Sequence, residues 1–260
     1  MLWWQGHIYS QVLGMSVGVQ VLLPAPAYPQ ARQTGPKRMH PVLYLLHGLG
    51  DDSTAWLRRS SIERLAEARG IAVVMPEVHR SYYSDMQSGH AFWTYLSEEL
   101  PELIANCFPI SGAREDNFVA GLSMGGYGAF KWALRRPHRF AAAASLSGAL
   151  DPVEKYDSGP PDYANIFGSR EALRGSANDL FALADRLASS GFPQPMLFQC
   201  CGTEDIRHLE SGKRFRDHCE ARGLPVHYEE GPGGHDWNFW EAYLARIMSW
   251  LPVSSPAAWA

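Results

Sequence analysis

The chain has 260 residues, of which 46% are apolar and 19% charged, a balance that suits one large domain around a sizeable core. Its formal net charge of −4 and isoelectric point near 6.2 exclude a general electrostatic attraction to nucleic acid or to an anionic membrane. No apolar run approaches the roughly 18–20 residues that span a bilayer, and the start, Met1 to His7, lacks a basic segment followed by an apolar one, so no secretory signal is expected.

Two strands are expected first, Ile8 to Val12 and Val17 to Leu23, followed by a Pro-rich loop from Pro24 to Pro41. Val42 to Leu46 is then a continuous apolar run ending at His47-Gly48. Ile71 to Met75, Phe118 to Gly121, Ala143 to Leu146 and Pro195 to Cys200 are further runs of this kind. Short runs apolar on both faces are the mark of parallel strands covered on both sides. Helical spacing lies between them, over Ile62–Arg69, Trp93–Cys107, Tyr127–Arg136, Leu209–Arg222 and Phe239–Leu251. The alternation predicts repeated βαβ units and a mostly parallel sheet with helices on both faces, an α/β class chain. Residues 151–191 interrupt it with Pro, Gly, Asp and Ser, ending in a helical stretch at Asp179 to Ala188. An insertion placed there often caps a pocket. Cys107, Cys200, Cys201 and Cys219 match neither zinc nor redox spacing, and buried free thiols in a reducing cytoplasm are expected.

Gly121-Leu122-Ser123-Met124-Gly125 fits Gly-x-Ser-x-Gly, and it lies between a buried-strand run and a helical pattern. That context is what a nucleophilic serine needs: a sharp strand-to-helix turn that presents the hydroxyl, beside the positive end of a helix. A serine hydroxyl is a weak nucleophile and requires a neighbouring base. In this motif's fold the base follows the serine in sequence, after an acid. Of ten histidines only His208, His218, His227 and His235 come late enough. His218 falls in a helical pattern and His227 in a strand pattern. His235, in Gly233-Gly234-His235-Asp236, sits in a loop between the last strand and the last helix and is the expected base; His208 could compete only if its loop turned back. The acid is expected at Asp205, in Gly202-Thr203-Glu204-Asp205, with Glu204 as the alternative. Backbone N–H groups of Met124, after the nucleophile, and of Leu49, in His47-Gly48-Leu49-Gly50, are the expected oxyanion donors. His47 is expected to orient that loop. Trp56, Tyr82, Tyr83, Trp93 and Trp237 are candidates for either pocket wall or plain core.

These segments, with Tyr127-Gly128-Ala129 and Gly234-His235-Asp236-Trp237, resemble the esterase D-like "putative esterase" family of S-formylglutathione hydrolases, feruloyl and acetyl esterases and mycolyltransferases. The likeness is nearest to its bacterial tributyrin esterase branch and runs from about residue 8 to 251. The resemblance implies an α/β-hydrolase fold with an eight-stranded core, hydrolysis of short-chain acyl esters without metal or organic cofactor, and self-association. It maps catalytic roles to Ser123, Asp205 and His235 and oxyanion donors to Leu49 and Met124. It is loose over Asp151 to Ser176, so substrate choice does not transfer through that segment. The expected function is a serine carboxylesterase acting on acetyl to butyryl esters through an acyl-enzyme, with an S-formylglutathione hydrolase-type thioesterase as the alternative. A silent binding protein on the same scaffold is disfavoured by the complete set of three residues.

Overall fold

The computed structural model describes residues 1–24 and 39–253; most of the expected Pro-rich loop, residues 25–38, lies outside the described residues. The chain begins with a long hairpin in which β1 (Leu2–Ser10) and β2 (Met15–Leu23) pair antiparallel, Leu2 opposite Leu23 and Ser10 opposite Met15. β1 starts six residues before the expected strand. Its apolar and polar residues do not alternate cleanly, and the ladder to β2, not its own pattern, defines it.

Beyond β3 (Val42–Leu46) come α1 (Ala55–Arg59), α2 (Ile62–Arg69) and β4 (Ala72–Pro76). α3 (Phe92–Thr94) and α4 (Leu100–Cys107) are joined by a wide π turn over Tyr95–Glu99. Pro101 has no N–H to give to the Ser97 carbonyl, so an ordinary helical turn could not be closed there. The remainder is β5 (Asn117–Leu122), α5 (Met124–Arg135), β6 (Ala142–Leu146), α6 (Tyr163–Phe167), α7 (Arg170–Leu173), α8 (Leu180–Ser190), β7 (Met196–Gly202), α9 (Ile206–Glu220), β8 (Val226–Gly231) and α10 (Trp237–Trp250).

The eight strands form one sheet in the order β1-β2-β4-β3-β5-β6-β7-β8, antiparallel only where β2 meets β1 and β4. Alternate residues of each central strand feed two separate cores. In β3, Val42, Tyr44 and Leu46 face a core shared with α4, α5 and α8, whereas Leu43 and Leu45 face one shared with α2 and α10. That two-sided burial is why these strands are apolar at every position. β3 has β4 on one side and β5 on the other. The chain therefore reverses its direction of travel across the sheet at this point, which opens a crevice at the carboxyl ends of the strands. No helix among the described residues is long and apolar enough to cross a membrane.

Candidate active site

The carboxyl ends of β3, β5, β7 and β8 bring together the loops that hold Leu49, Ser123, Asp205 and His235. Ser123 stands between β5 and α5 at φ 53° and ψ −116°, a strained conformation for a residue with a side chain. Two glycines permit it. A Cβ on Gly121 would lie 2.4 Å from the Gly125 carbonyl oxygen, and one on Gly125 would lie 2.4 Å from the Leu46 carbonyl oxygen. Any larger residue at either position would force strand and helix apart. The turn is tied down by the Ser123 N–H, which donates to the Leu146 carbonyl at 2.9 Å.

The acid and histidine loops are stitched to each other by backbone. The N–H groups of Thr203 and Glu204 donate to the carbonyls of Gly231 and Gly233 at 2.8 and 3.0 Å. Asp236 then caps α10, accepting from the N–H groups of Asn238 and Phe239, so His235 is held between a strand end and a helix start. The side chains form one line: the Ser123 Oγ lies 3.0 Å from His235 Nε2, and His235 Nδ1 lies 2.6 Å from Asp205 Oδ2. With Nδ1–H donated to the carboxylate, Nε2 is free to accept the serine proton. Glu204, the alternative acid, is exposed, while Asp205 is buried. Burial works to raise the Asp205 pKa, but hydrogen bonds and charge from His208 and His235 outweigh it and hold the carboxyl well below its ordinary range.

His208 is the residue that sequence reasoning set aside and the structure brings in. It needs no turned-back loop: it occupies the first turn of α9, three residues after Asp205. Its Nδ1 lies 2.8 Å from Asp205 Oδ1, and its ring stacks on that of His235 with centroids 4.2 Å apart and planes 14° apart. The Asp-x-x-His spacing is present in the sequence, but the helical pattern there is expected only from Leu209, whereas α9 begins at Ile206 and puts Asp205 and His208 on one turn.

Leu49 lines the same cavity as Ser123. Met124 opens α5, where a helix leaves its first N–H groups without intrahelical acceptors. The His47 ring orients the Leu49 loop. Its Nδ1 meets the Gly48 carbonyl at 2.8 Å and its Nε2 the Val78 N–H at 3.2 Å, with Glu77 Oε1 3.3 Å away. Burial pushes the Glu77 pKa up, but the His47 imidazole beside it and the bonds from the N–H groups of His79 and Ser53 bring it below the usual value.

Lys131 braces the same loop from behind. This fully buried lysine on α5 donates to the Tyr83 carbonyl at 2.9 Å and to Ser84 Oγ at 2.7 Å, and the Tyr83 hydroxyl donates to the His47 carbonyl at 2.7 Å. Burial, reinforced by Arg135, holds the Lys131 pKa well below that of a free lysine. Its position in a helix of otherwise apolar spacing gave the sequence no hint of this role.

Ser123 and His235, with His208 beside them, line a cavity of about 280 Å³, and Asp205 stands outside its wall. Leu49, Tyr82, Ala149 and Tyr163 supply apolar wall, whereas Lys155, Arg207 and Ser211 supply polar wall. Of the five aromatic candidates, Tyr82 lines this cavity. Trp56, Tyr83 and Trp93 are buried outside its wall, and Trp237 packs edge-on against Trp56 at 5.1 Å. Donor atoms of Asp205, His208 and His235 lie within 4.8 Å of one another, a set that could hold a metal ion. Both Nδ1 atoms are already engaged with the carboxylate, so an ion between them would have to displace those bonds. Cys201, below Asp205 at 3.8 Å, is pushed up to about 12 by burial and by the Asp205 charge, which keeps it a neutral thiol.

Residues 10–251 match the family described as "Putative esterase". The chain is similar to an acetyl esterase of Caldicellulosiruptor saccharolyticus, at 32% identity over 95% of this chain and 97% of the relative. Among solved structures it is similar to a substrate-bound fluorophosphonate-binding serine hydrolase of Staphylococcus aureus, with TM-score 0.90 and 32% identity over 97% of this chain and 99% of that one. It is similar also to an S-formylglutathione hydrolase of Staphylococcus aureus, with TM-score 0.87 and 32% identity over 96% and 98% of the two chains. A match over nearly the whole chain, on an eight-stranded sheet with a serine at its strand-to-helix turn, places the protein: it belongs to this esterase family and is a carboxylic ester hydrolase of the α/β-hydrolase fold.

Proposed function

We propose that the protein is a serine carboxylesterase for short acyl esters, acetyl to butyryl. In this reading Ser123 is the nucleophile, His235 the general base, Asp205 the group that orients and charge-balances His235, and the N–H groups of Leu49 and Met124 the oxyanion donors. The observation that carries it is the hydrogen-bonded line from Ser123 to His235 to Asp205, at 3.0 and 2.6 Å, at a cavity of about 280 Å³. Attack by Ser123 on the ester carbonyl passes its proton to His235 and leaves an oxyanion facing the two N–H groups. Collapse expels the alcohol, which takes the proton from His235. Water then repeats the sequence on the acyl-enzyme and releases the acid. The cavity's volume is at the low end for small-molecule sites, which supports a short acyl group. Asp151 to Tyr163 supply one wall of it, which supports a cap role for that part of the insertion.

A second reading, a thioesterase acting on an S-acyl glutathione, is favoured by Lys155 and Arg207 in the cavity wall, two cations suited to the carboxylates of such a leaving group. Turnover of p-nitrophenyl acetate, butyrate and octanoate beside S-formylglutathione separates them. The acetate and butyrate esters are expected to lead; preference for octanoate would overturn the short-chain reading, and S-formylglutathione exceeding both by a hundredfold would select the thioesterase. We further propose a self-associating cytoplasmic enzyme. The open edge of β1 exposes Leu2, Trp3 and Tyr9, and Cys107, Cys200, Cys201 and Cys219 are all free thiols. A monomer by light scattering, or export of the chain from its cell, would contradict these two points.

A further inference from the structure

We infer that His208 is a positioning residue of the Ser123–His235–Asp205 line, acting through Asp205 by a donated hydrogen bond. The inference rests on the proposed roles of those three residues and deepens them.

A carboxylate has two oxygens, and only one is needed by the base. Asp205 Oδ2 takes the His235 Nδ1–H at 2.6 Å, and Oδ1 takes the His208 Nδ1–H at 2.8 Å. Rotation about the final bond of an aspartate side chain is soft, because the torsion to a planar carboxyl is broad and nearly two-fold. A carboxylate held by a single imidazole could therefore swing while keeping one bond. The second donor removes that freedom, since any rotation that improves one bond worsens the other. His208 is itself fixed. It projects from the first turn of a 15-residue helix whose residue before the first turn is Asp205, so backbone and side chain share one rigid frame.

His208 has a second contact that a mere carboxylate clamp would not need. Its ring lies flat on the ring of His235, and on another side Trp240 meets His235 edge-on at 5.0 Å. The His235 side chain is one-third exposed; these two rings flank it, and the bond to Asp205 sets the angle that places Nε2 3.0 Å from Ser123. The charged neighbours are Arg207 on the same helix, with Lys155 and Asp151 across the cavity. The cations are not hydrogen-bonded to Asp205, which leaves the two imidazoles as its side-chain hydrogen-bond donors of nitrogen type among the described residues. Misplacing a catalytic group by about 1 Å can cost roughly a hundredfold in rate, so the clamp is expected to show in turnover more than in substrate binding, although His208 also forms part of the cavity wall.

Three variants divide the contacts. Asparagine places an N–H donor where Nδ1 stands but has no ring. Phenylalanine keeps a ring to stack and has no donor, and alanine has neither. Two readouts are taken on each: kcat and KM for p-nitrophenyl acetate, and the second-order rate at which a fluorophosphonate labels Ser123, which requires an activated serine but no ester specificity. His208→Phe and His208→Ala are expected to lower both kcat and the labelling rate by about tenfold or more, with KM changed less than about threefold. His208→Asn is expected to recover to within about threefold of the parent. In an Asp205→Asn background, His208→Ala is expected to add less than about twofold, because the carboxylate it serves is gone. The proposal is overturned if His208→Phe, with an unchanged Tm, keeps parental kcat and labelling rate. It is also overturned if His208→Asn is as slow as His208→Phe, or if the alanine loss is fully additive with Asp205→Asn. Labelling of the parent enzyme without turnover of the acetate ester would instead reject the short-ester reading and leave His208 to be decided by the labelling rates.

Discussion

Asp205→Asn is the substitution whose consequence can be worked furthest from the geometry. The side chain keeps its shape and loses its charge and one of two acceptors. Asp205 accepts from His235 at 2.6 Å and from His208 at 2.8 Å, whereas an asparagine has one acceptor and one donor. If its NH2 faces His235, that ring must carry its proton on Nε2 and can no longer take one from Ser123. If its oxygen faces His235, the tautomer survives but the imidazolium formed during attack loses its counter-charge. Two unit charges about 4 Å apart at an effective dielectric near 20 interact by about 4 kcal/mol, or close to a thousandfold in rate. The tautomer route costs about ten thousandfold in the serine-protease template. The expected fall in kcat on p-nitrophenyl acetate is therefore about 10³ to 10⁴, with KM little changed, in a protein whose Tm shows it is folded. Glu204→Gln, at the exposed neighbour, is expected to stay within about twofold. A loss below tenfold in Asp205→Asn, or a larger loss in Glu204→Gln, would refute the reasoning.

Two other predictions concern the frame around the site. Lys131 is buried with its pKa well below that of a free lysine, so the unfolded chain binds a proton that the native chain does not, between that depressed value and about 10.4. Stability from this group therefore rises with pH through that window, by up to about 1.4 kcal/mol per unit, and levels off above it. Thermal melts from pH 7 to 10 should show this slope in the parent and a shallower one in Lys131→Met; equal slopes would contradict it. In Gly125→Ala the new Cβ would stand 2.4 Å from the Leu46 carbonyl and 2.7 Å from the His47 carbonyl. The expected cost is about 2–3 kcal/mol, read as a Tm lowered by about 4–12 °C, with kcat reduced because that backbone carries Leu49; an unchanged Tm would show that the turn has more room than the geometry allows.

The central sheet was legible because both of its faces are covered, which makes Val42–Leu46 and Phe118–Gly121 apolar without a break. The serine turn was legible for a related reason, since Gly121 and Gly125 admit no side chain. The limits of β1 were not, because its ladder with β2 and not its own pattern sets them. α1 is only five residues long and shows no period. The π turn before Pro101 reflects a missing N–H that periodicity does not register. At the site, Ser123, Asp205 and His235 could be picked by loop position, but the second imidazole on Asp205 required knowing that α9 begins one residue later and turns His208 back onto the carboxylate. The Lys131 brace depends on residues 83 and 84 folding against α5, a contact across 47 and 48 positions that no local pattern encodes.

Acylation of Ser123 is the central step of the proposed reaction. Rapid acid quench of the enzyme with p-nitrophenyl acetate, followed by peptide mass spectrometry, tests this directly. An acetyl group is expected on the peptide containing Ser123, absent in Ser123→Ala, with a fall in that variant's turnover of roughly a thousandfold or more. Acetyl on another residue, or near-parental turnover in Ser123→Ala, would contradict that step.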